Sequence, residues 1–314
     1  MEKYGQWPFP RGEYARIIED LYRRNAGLVV WNVLMPDPDR NGQDGRLAET
    51  LKQYPVILGN VPAGQNKNKP KAPGSVVLGP EYQDRIVAYP GMIANTPVLE
   101  QRAYGVGTTN TLPEVDGVNR RIPLIVTVGD KLYPSLSMET LRAAAGDTTF
   151  QVKLNEYGVE KMRIPKFGPI STDSLSRIWI DWSQESRSFS YTDLPPDFHG
   201  GIVIVGPTLA GVGNPLPTSI GAVWPHEVQA ALVGTMVNGV VIQRPDCADG
   251  GEILLIAILG IVLLFLTICF FIIEFVPLDL DSVDCCSDNR CSDNRCPDNF
   301  CSDNLCSDNL CSDN

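Results

Sequence analysis

Apolar positions in the first sixty residues switch between two periods. Tyr14, Ile17, Ile18 and Leu21 recur at i, i+3, i+4 and i+7, which predicts an amphipathic helix over 11–25, ended by Gly27. The following run LVVWNVLM at 28–35 is apolar apart from Asn32, the pattern of a strand buried on both faces of a largely parallel sheet. A second helix over 45–53 and the strand PVILG at 55–59 complete another helix-to-strand unit. Residues 61–80, rich in Gly, Pro, Asn and Lys, read as a long exposed loop. Further strands are predicted at 103–109, 121–128, 150–154, 177–182 and 201–206, and helices at 134–145 and 225–238. In the last of these, Pro225 suits a first helical turn and Val228, Ala231, Leu232 and Met236 share one face. Alternating units of this kind predict an α/β fold with a single mixed, largely parallel sheet flanked by helices. No long linker or internal duplication divides residues 1–251, so one domain is expected there.

The pattern then changes character twice. Residues 253–273 hold no charge and no proline, and as a helix would run about 31 Å, the thickness of a hydrocarbon core. One transmembrane helix is therefore expected over 252–274. Arg244 lies on one side and Arg290 and Arg295 stand well out on the other, so charge does not choose its direction. Residues 275–314 form a tail built from a pentapeptide starting at Cys286: CSDNR twice, CPDNF, CSDNL twice and a final CSDN. With only Phe300, Leu305 and Leu310 as bulky groups in the repeat, it is expected to be disordered. Its cysteines, from Cys286 to Cys311 at steady five-residue spacing, lack the paired CxxC of zinc sites, and no metal is expected. A β-solenoid would bury Asp303 or Asp308, and expansion of a short DNA repeat is the simpler origin.

Charge follows the same division. The formal net charge is −11, and the tail, with nine Asp against two Arg, supplies −7 of it. The first 251 residues carry 26 acidic and 24 basic side chains, so no basic surface for nucleic acid is expected. Cys247 is the sole cysteine of that stretch, which rules out a disulfide framework within it.

Several fragments approach catalytic motifs and stop short at the residue that would carry the chemistry. GPTLAGVG at 206–213 has phosphate-loop glycines but Val212 and Gly213 where Lys and Ser or Thr belong. GVGTTN at 105–110 opens like a dinucleotide fingerprint, yet Asn110 replaces the third glycine and a simple turn accounts for it. His226-Glu227 begins HExx, with Ala230 in place of the second His. Ser219 and His226 could form a hydrolase pair, but no GxSxG elbow surrounds Ser219. Asp116-Gly117 reads as a turn, and Trp7, beside Pro8 and Pro10, as an apolar anchor that fixes entry to the first helix.

The ordered blocks GQWPFPR at 5–11, NVLMPDPD, GVG…LPEVDGVNRRIPL at 105–124, YPSLSMETL at 133–141, GGIVIVGPTLAGVGNPLPT at 200–218, WPHEVQAAL at 224–232 and IQRP at 242–245 resemble the second type of CHASE domain. That family is the cyclase- and histidine-kinase-associated sensory extracellular module of bacterial receptors. The resemblance implies an extracytoplasmic sensing domain preceded by one membrane helix and followed by several, with a cytoplasmic cyclase or kinase beyond. Here the chain starts at the GQWPFPR block, without the earlier helix and the acidic first strand of the family layout. Asn32 stands where the family often has Asp. One membrane helix follows and the repeat tail replaces an output domain. With no positively charged, hydrophobic leader to explain export, an incomplete start or a broken gene is expected.

These readings converge on a single-pass membrane protein with a sensory domain on the extracytoplasmic side and a cytoplasmic tail. Open α/β sheets place ligands beyond the carboxyl ends of the strands, which nominates Asn32, Thr108, Asn110, Thr208 and His226 as lining residues. The same residue types also serve turns and caps. No catalytic residue, metal or cofactor is expected. The expected partners are an unidentified small-molecule signal, the membrane, and a second copy or a partner receptor. Two other readings stay open: an extracytoplasmic hydrolase using Ser219 and His226, and a structural association module for partner receptors.

Overall fold

The computed structural model describes residues 7–72, 74–79, 85–183, 186–209, 212–239 and 247–275. Helix α1 (Arg11–Arg23) leads into β1 (Leu28–Trp31), α2 (Asp44–Gln53) and β2 (Val56–Ala63). Strands β3 (Ser75–Leu78), β4 (Ala88–Tyr89) and β5 (Gly91–Ile93) precede the single turn α3 (Pro97–Glu100) and β6 (Gly105–Thr108). Next come β7 (Arg121–Pro123), β8 (Ile125–Val128), β9 (Lys131–Pro134), α4 (Leu136–Ala144), β10 (Phe150–Asn155), β11 (Gly158–Ile164), β12 (Gly168–Ile170) and β13 (Arg177–Trp179). The chain continues through β14 (Ile202–Val205), the hairpin β15 (Leu216–Thr218) and β16 (Gly221–Val223), then α5 (Pro225–Val237) and α6 (Ala248–Phe275). Two compact units result, Met1–Arg244 and Pro245–Asn314.

The mixed α/β architecture expected from the sequence is present, with its strands distributed over several sheets. The central one runs β14-β1-β2-β6, all parallel, with β5 added antiparallel to the far end of β2. Side chains of β1 alternate between its two faces, as the period of a strand requires. Val29 and Trp31 pack with Tyr14, Ile18 and Leu21 of α1 and Leu47 and Leu51 of α2. Leu28 and Val30 pack with Leu136 and Ala143 of α4. Both faces are covered, which explains why this strand reads as a continuous apolar run. Trp7 contacts Phe9 at 5.4 Å and Tyr14 at 5.9 Å between ring centroids, and Tyr14 contacts Trp31 at 5.2 Å, so the aromatic anchor reaches the sheet.

A second core joins the sheet β12-β11-β10-β3 to α4 and α5 through Phe150, Val152, Met162, Met138, Val228 and Leu232. Here the structure corrects the reading of 61–80 as one long exposed loop. β2 continues to Ala63, and β3 pairs in parallel with β10, Ser75 opposite Phe150. That partner is distant in sequence, so the local Gly, Pro and Lys content hides it. The strand predicted at 28–35 is also shorter, ending at Trp31. The Asn32 N–H still donates to the Val205 carbonyl, but the Met35 N–H turns to the Asn95 side chain at 2.9 Å, drawing the chain off the sheet. The strand predicted at 121–128 breaks at Leu124, where β7 joins β13 and β8 joins β9. Asp116-Gly117 forms the expected turn, with Gly117 at φ +80°.

Within α6, Gly250–Ile272 has a mean hydropathy of 3.2 and its side chains are exposed apart from the half-buried Cys269. At 23 residues it extends about 35 Å, enough by length and composition to cross a bilayer. Thr267 satisfies its hydroxyl on the Leu263 carbonyl, 2.7 Å away. The repeat tail, the IQRP block, Gly5, Gln6, Ala210 and Gly211 lie outside the described residues.

Candidate functional site

In chain order β1, β2 and β6 build the central sheet in one direction, and β14 returns to the other side of β1. Strand order therefore reverses between β1 and β14. At such a point the connections leaving the two strand ends diverge to opposite faces and open a crevice. A cavity of about 520 Å³ lies there. Asn32, at the end of β1, and Pro207, past the end of β14, meet Gly59 of β2 and His226 in the first turn of α5. Thr109 and Thr111 follow β6 onto the same wall. Trp7, Val33, Leu34, Val61, Val212 and Leu216 give it apolar walls.

His226 is positioned by an absence of side chain. A methyl group built on Gly206 would sit 2.5 Å from both Cγ and Nδ1 of the imidazole, so the ring rests directly on the Gly206 backbone. Glu227 does not act with it as an HExx base. Its Oε2 accepts the Trp224 N–H at 3.1 Å and so caps α5. Burial pushes the His226 pKa below its ordinary value, partly opposed by the Glu227 charge. The unfolded imidazole takes up a proton near its ordinary value while the folded one resists, so stability is complete above about pH 6.5 and falls as pH drops through that value. The His226→Gln variant is therefore expected to lose less stability than the parent between about pH 7.5 and about pH 5.5 in parallel denaturation curves. Equal losses would show that His226 is not buried in its neutral form.

Of the five residues nominated from sequence, the structure brings Asn32 and His226 together on this wall. Thr108 and Asn110 lie elsewhere: they are 1% and 5% exposed, with the Thr108 hydroxyl 2.5 Å from Asn110 Oδ1 and 3.1 Å from the Pro134 carbonyl. Their neighbours Thr109 and Thr111 take the lining positions, because alternate residues of an extended segment face opposite ways. Thr208 is exposed and off the wall. The GVG fragment is not a turn but the buried β6. A methyl on Gly107 would come within 2.5 Å of Leu136 Cα, so this glycine serves the close approach of α4.

Behind the wall stands a polar knot that sequence reasoning missed. Asn60, Asn95 and Glu100 are 1%, 0% and 1% exposed. Glu100 Oε1 accepts from Asn60 Nδ2 at 2.8 Å and from the Lys71 N–H at 2.9 Å, and Oε2 accepts from Asn95 Nδ2 at 3.3 Å. Asn95 Nδ2 also reaches Asn60 Oδ1 at 2.8 Å. The knot fixes the stretch of β2 whose Gly59 and Val61 line the cavity. Asn60 in β2, Asn95 and Glu100 at the end of α3 carry no local signal of such a meeting.

A second cavity of about 470 Å³ runs along β14 between Ile17 and Leu21 of α1 and Ala230 and Val233 of α5. Ser219 is exposed at the β15–β16 turn, and among the described residues no hydrogen bond joins it to His226. No group of three or more His, Cys, Asp or Glu suited to a metal occurs among the described residues.

Compared with known families, the chain matches the CHASE2 domain over residues 1–266. The chain belongs to the CHASE2 family. CHASE2 domains are extracellular sensory domains. No match was found among curated proteins or solved structures. The CHASE2 match runs on into the apolar helix α6, ending at residue 266.

Proposed function

We propose that this CHASE2 chain is a membrane-anchored sensory module that binds a small molecule outside the cytoplasm. Residues 1–251 form the sensory domain, 252–274 the membrane helix and 275–314 a cytoplasmic tail. One observation carries the reading: the cavity over the strand ends at the point where the strand order reverses. Asn32, Thr109, Thr111 and His226 are the groups that would orient the signal. Signalling then requires that the signal bind two conformations of the domain unequally, and a second copy or a partner receptor is the recipient of that shift.

Topology is the direct test. Cys247 is exposed immediately before α6 and stands on the sensory side of it. In intact cells, a membrane-impermeant maleimide is expected to label the full chain, and the Cys247→Ser variant, which retains all seven tail thiols, is expected to lose that labelling. Undiminished labelling of the variant, or labelling only after the cells are opened, would place the domain in the cytoplasm and end the proposal.

A further inference from the structure

Three neighbouring cavities divide their charges unevenly. The one beside the start of α1, about 570 Å³, is lined by Arg11, Asp37, Asp39 and Arg40, and the groove along β14 by Arg187 and Glu227. Among the described residues, the cavity at the strand-order reversal has no Asp, Glu, Lys or Arg on its wall. Trp7, Val33 and Leu34 belong to both it and the charged cavity, so these three side chains partition charged from uncharged space. On the uncharged side the polar side-chain groups among the described residues are two hydroxyls, one carboxamide, one imidazole and the Trp7 indole N–H, set among apolar walls.

From this segregation we infer that the signal is an electrically neutral molecule with an apolar face and one or two hydrogen-bonding groups, such as a carboxamide or hydroxyl compound. The inference rests on the cavity being the signal site. An ion entering it would shed water and meet no opposite charge, a loss that a few neutral dipoles do not repay. A neutral carboxamide gives up far less, and Thr109, Thr111 and Asn32 offer both donors and acceptors to it. Burial of His226 works in the same direction, because it holds the one titratable group on the wall in its neutral form. The aromatic face of Trp7 suits a flat apolar portion.

Three probes of nearly equal size separate the possibilities: benzamide, benzoate and benzylammonium. Binding to the full chain in lipid nanodiscs is followed by ligand-observed NMR, alongside Leu216→Trp, which fills the cavity, and Thr111→Phe, which narrows it from another side and serves if the first variant does not fold. The expected result is saturable benzamide binding at least about ten-fold tighter than that of either ion, and lost in the filled variant. Benzoate or benzylammonium binding as tightly as benzamide, and lost on filling, would overturn the neutral-ligand inference and leave the site in place. Benzamide binding that survives filling, or no binding of any probe, would instead overturn the site itself.

Discussion

Replacing Glu139 with Ala is expected to lower the stability of the folded chain by about 3–5 kcal/mol, the cost of leaving one member of a buried ion pair alone. Glu139 and Arg142 lie one turn apart on α4 and are 5% and 8% exposed. The guanidinium grips the carboxylate with both prongs, Nε on Oε2 at 2.8 Å and Nη2 on Oε1 at 2.6 Å, and its remaining nitrogen donates to the Asp147 carbonyl. Burial pushes the Glu139 carboxyl above the usual carboxylate range, with Arg142 opposing it. Truncation at Glu139 leaves a guanidinium in the interior with one carbonyl partner. The double replacement Glu139→Met with Arg142→Met removes both charges and is expected to recover most of the loss, since buried pairs contribute little over a well-packed apolar equivalent. Chemical denaturation of the full chain measures both. A loss below about 1 kcal/mol for the single variant would mean that the pair is open to water.

The second large effect belongs to Glu100. Glu100→Ala removes the acceptor of the buried Asn60 Nδ2 and of the half-buried Lys71 N–H, while Asn95 Nδ2 keeps Asn60 Oδ1 and the Gly59 carbonyl. Each orphaned donor costs about 1–3 kcal/mol, so a total of about 2–4 kcal/mol is expected. Glu100→Gln keeps one acceptor oxygen for Asn60 and Lys71 but turns an amide donor toward Asn95, and its loss should fall between the parent and the Ala variant. The knot also holds the Gly59–Val61 part of β2, so Glu100→Gln is expected to weaken benzamide binding although Glu100 is not on the wall. An unchanged affinity in the folded Gln variant would confine the role of the knot to stability.

Much of the scaffold was legible in the chain. The helical period of Tyr14, Ile17, Ile18 and Leu21 placed α1 almost to the residue, since one turn of helix repeats within four positions. The apolar run beginning at Leu28 marked a strand covered on both faces, and the face of Val228, Ala231, Leu232 and Met236 marked α5. Both are local signals that survive whatever surrounds them. β3 was not legible, because a short strand such as Ser75–Leu78 is stabilised by a partner from another part of the chain.

For the site the division is finer. The general rule for open α/β sheets led to the ends of β1 and β14, and so to Asn32 and His226. It also led to the segment after β6, where Thr109 and Thr111 rather than Thr108 and Asn110 face the cavity. Thr108 and Thr109 are adjacent and chemically identical, and a shift of one residue exchanges inside for outside. That choice is made by the register of β6 on β2, with Asn60 opposite Thr108, and by the seating of α4 on Gly107. The sequence by itself determined the helical periods, the buried strand, the apolar span and the family, because each is written in neighbouring residues. The tertiary structure decided which threonines face the cavity, which charges are kept out of it, and which asparagines and glutamate hold its floor. Those depend on side chains drawn together from distant positions, where only packing sets direction and distance.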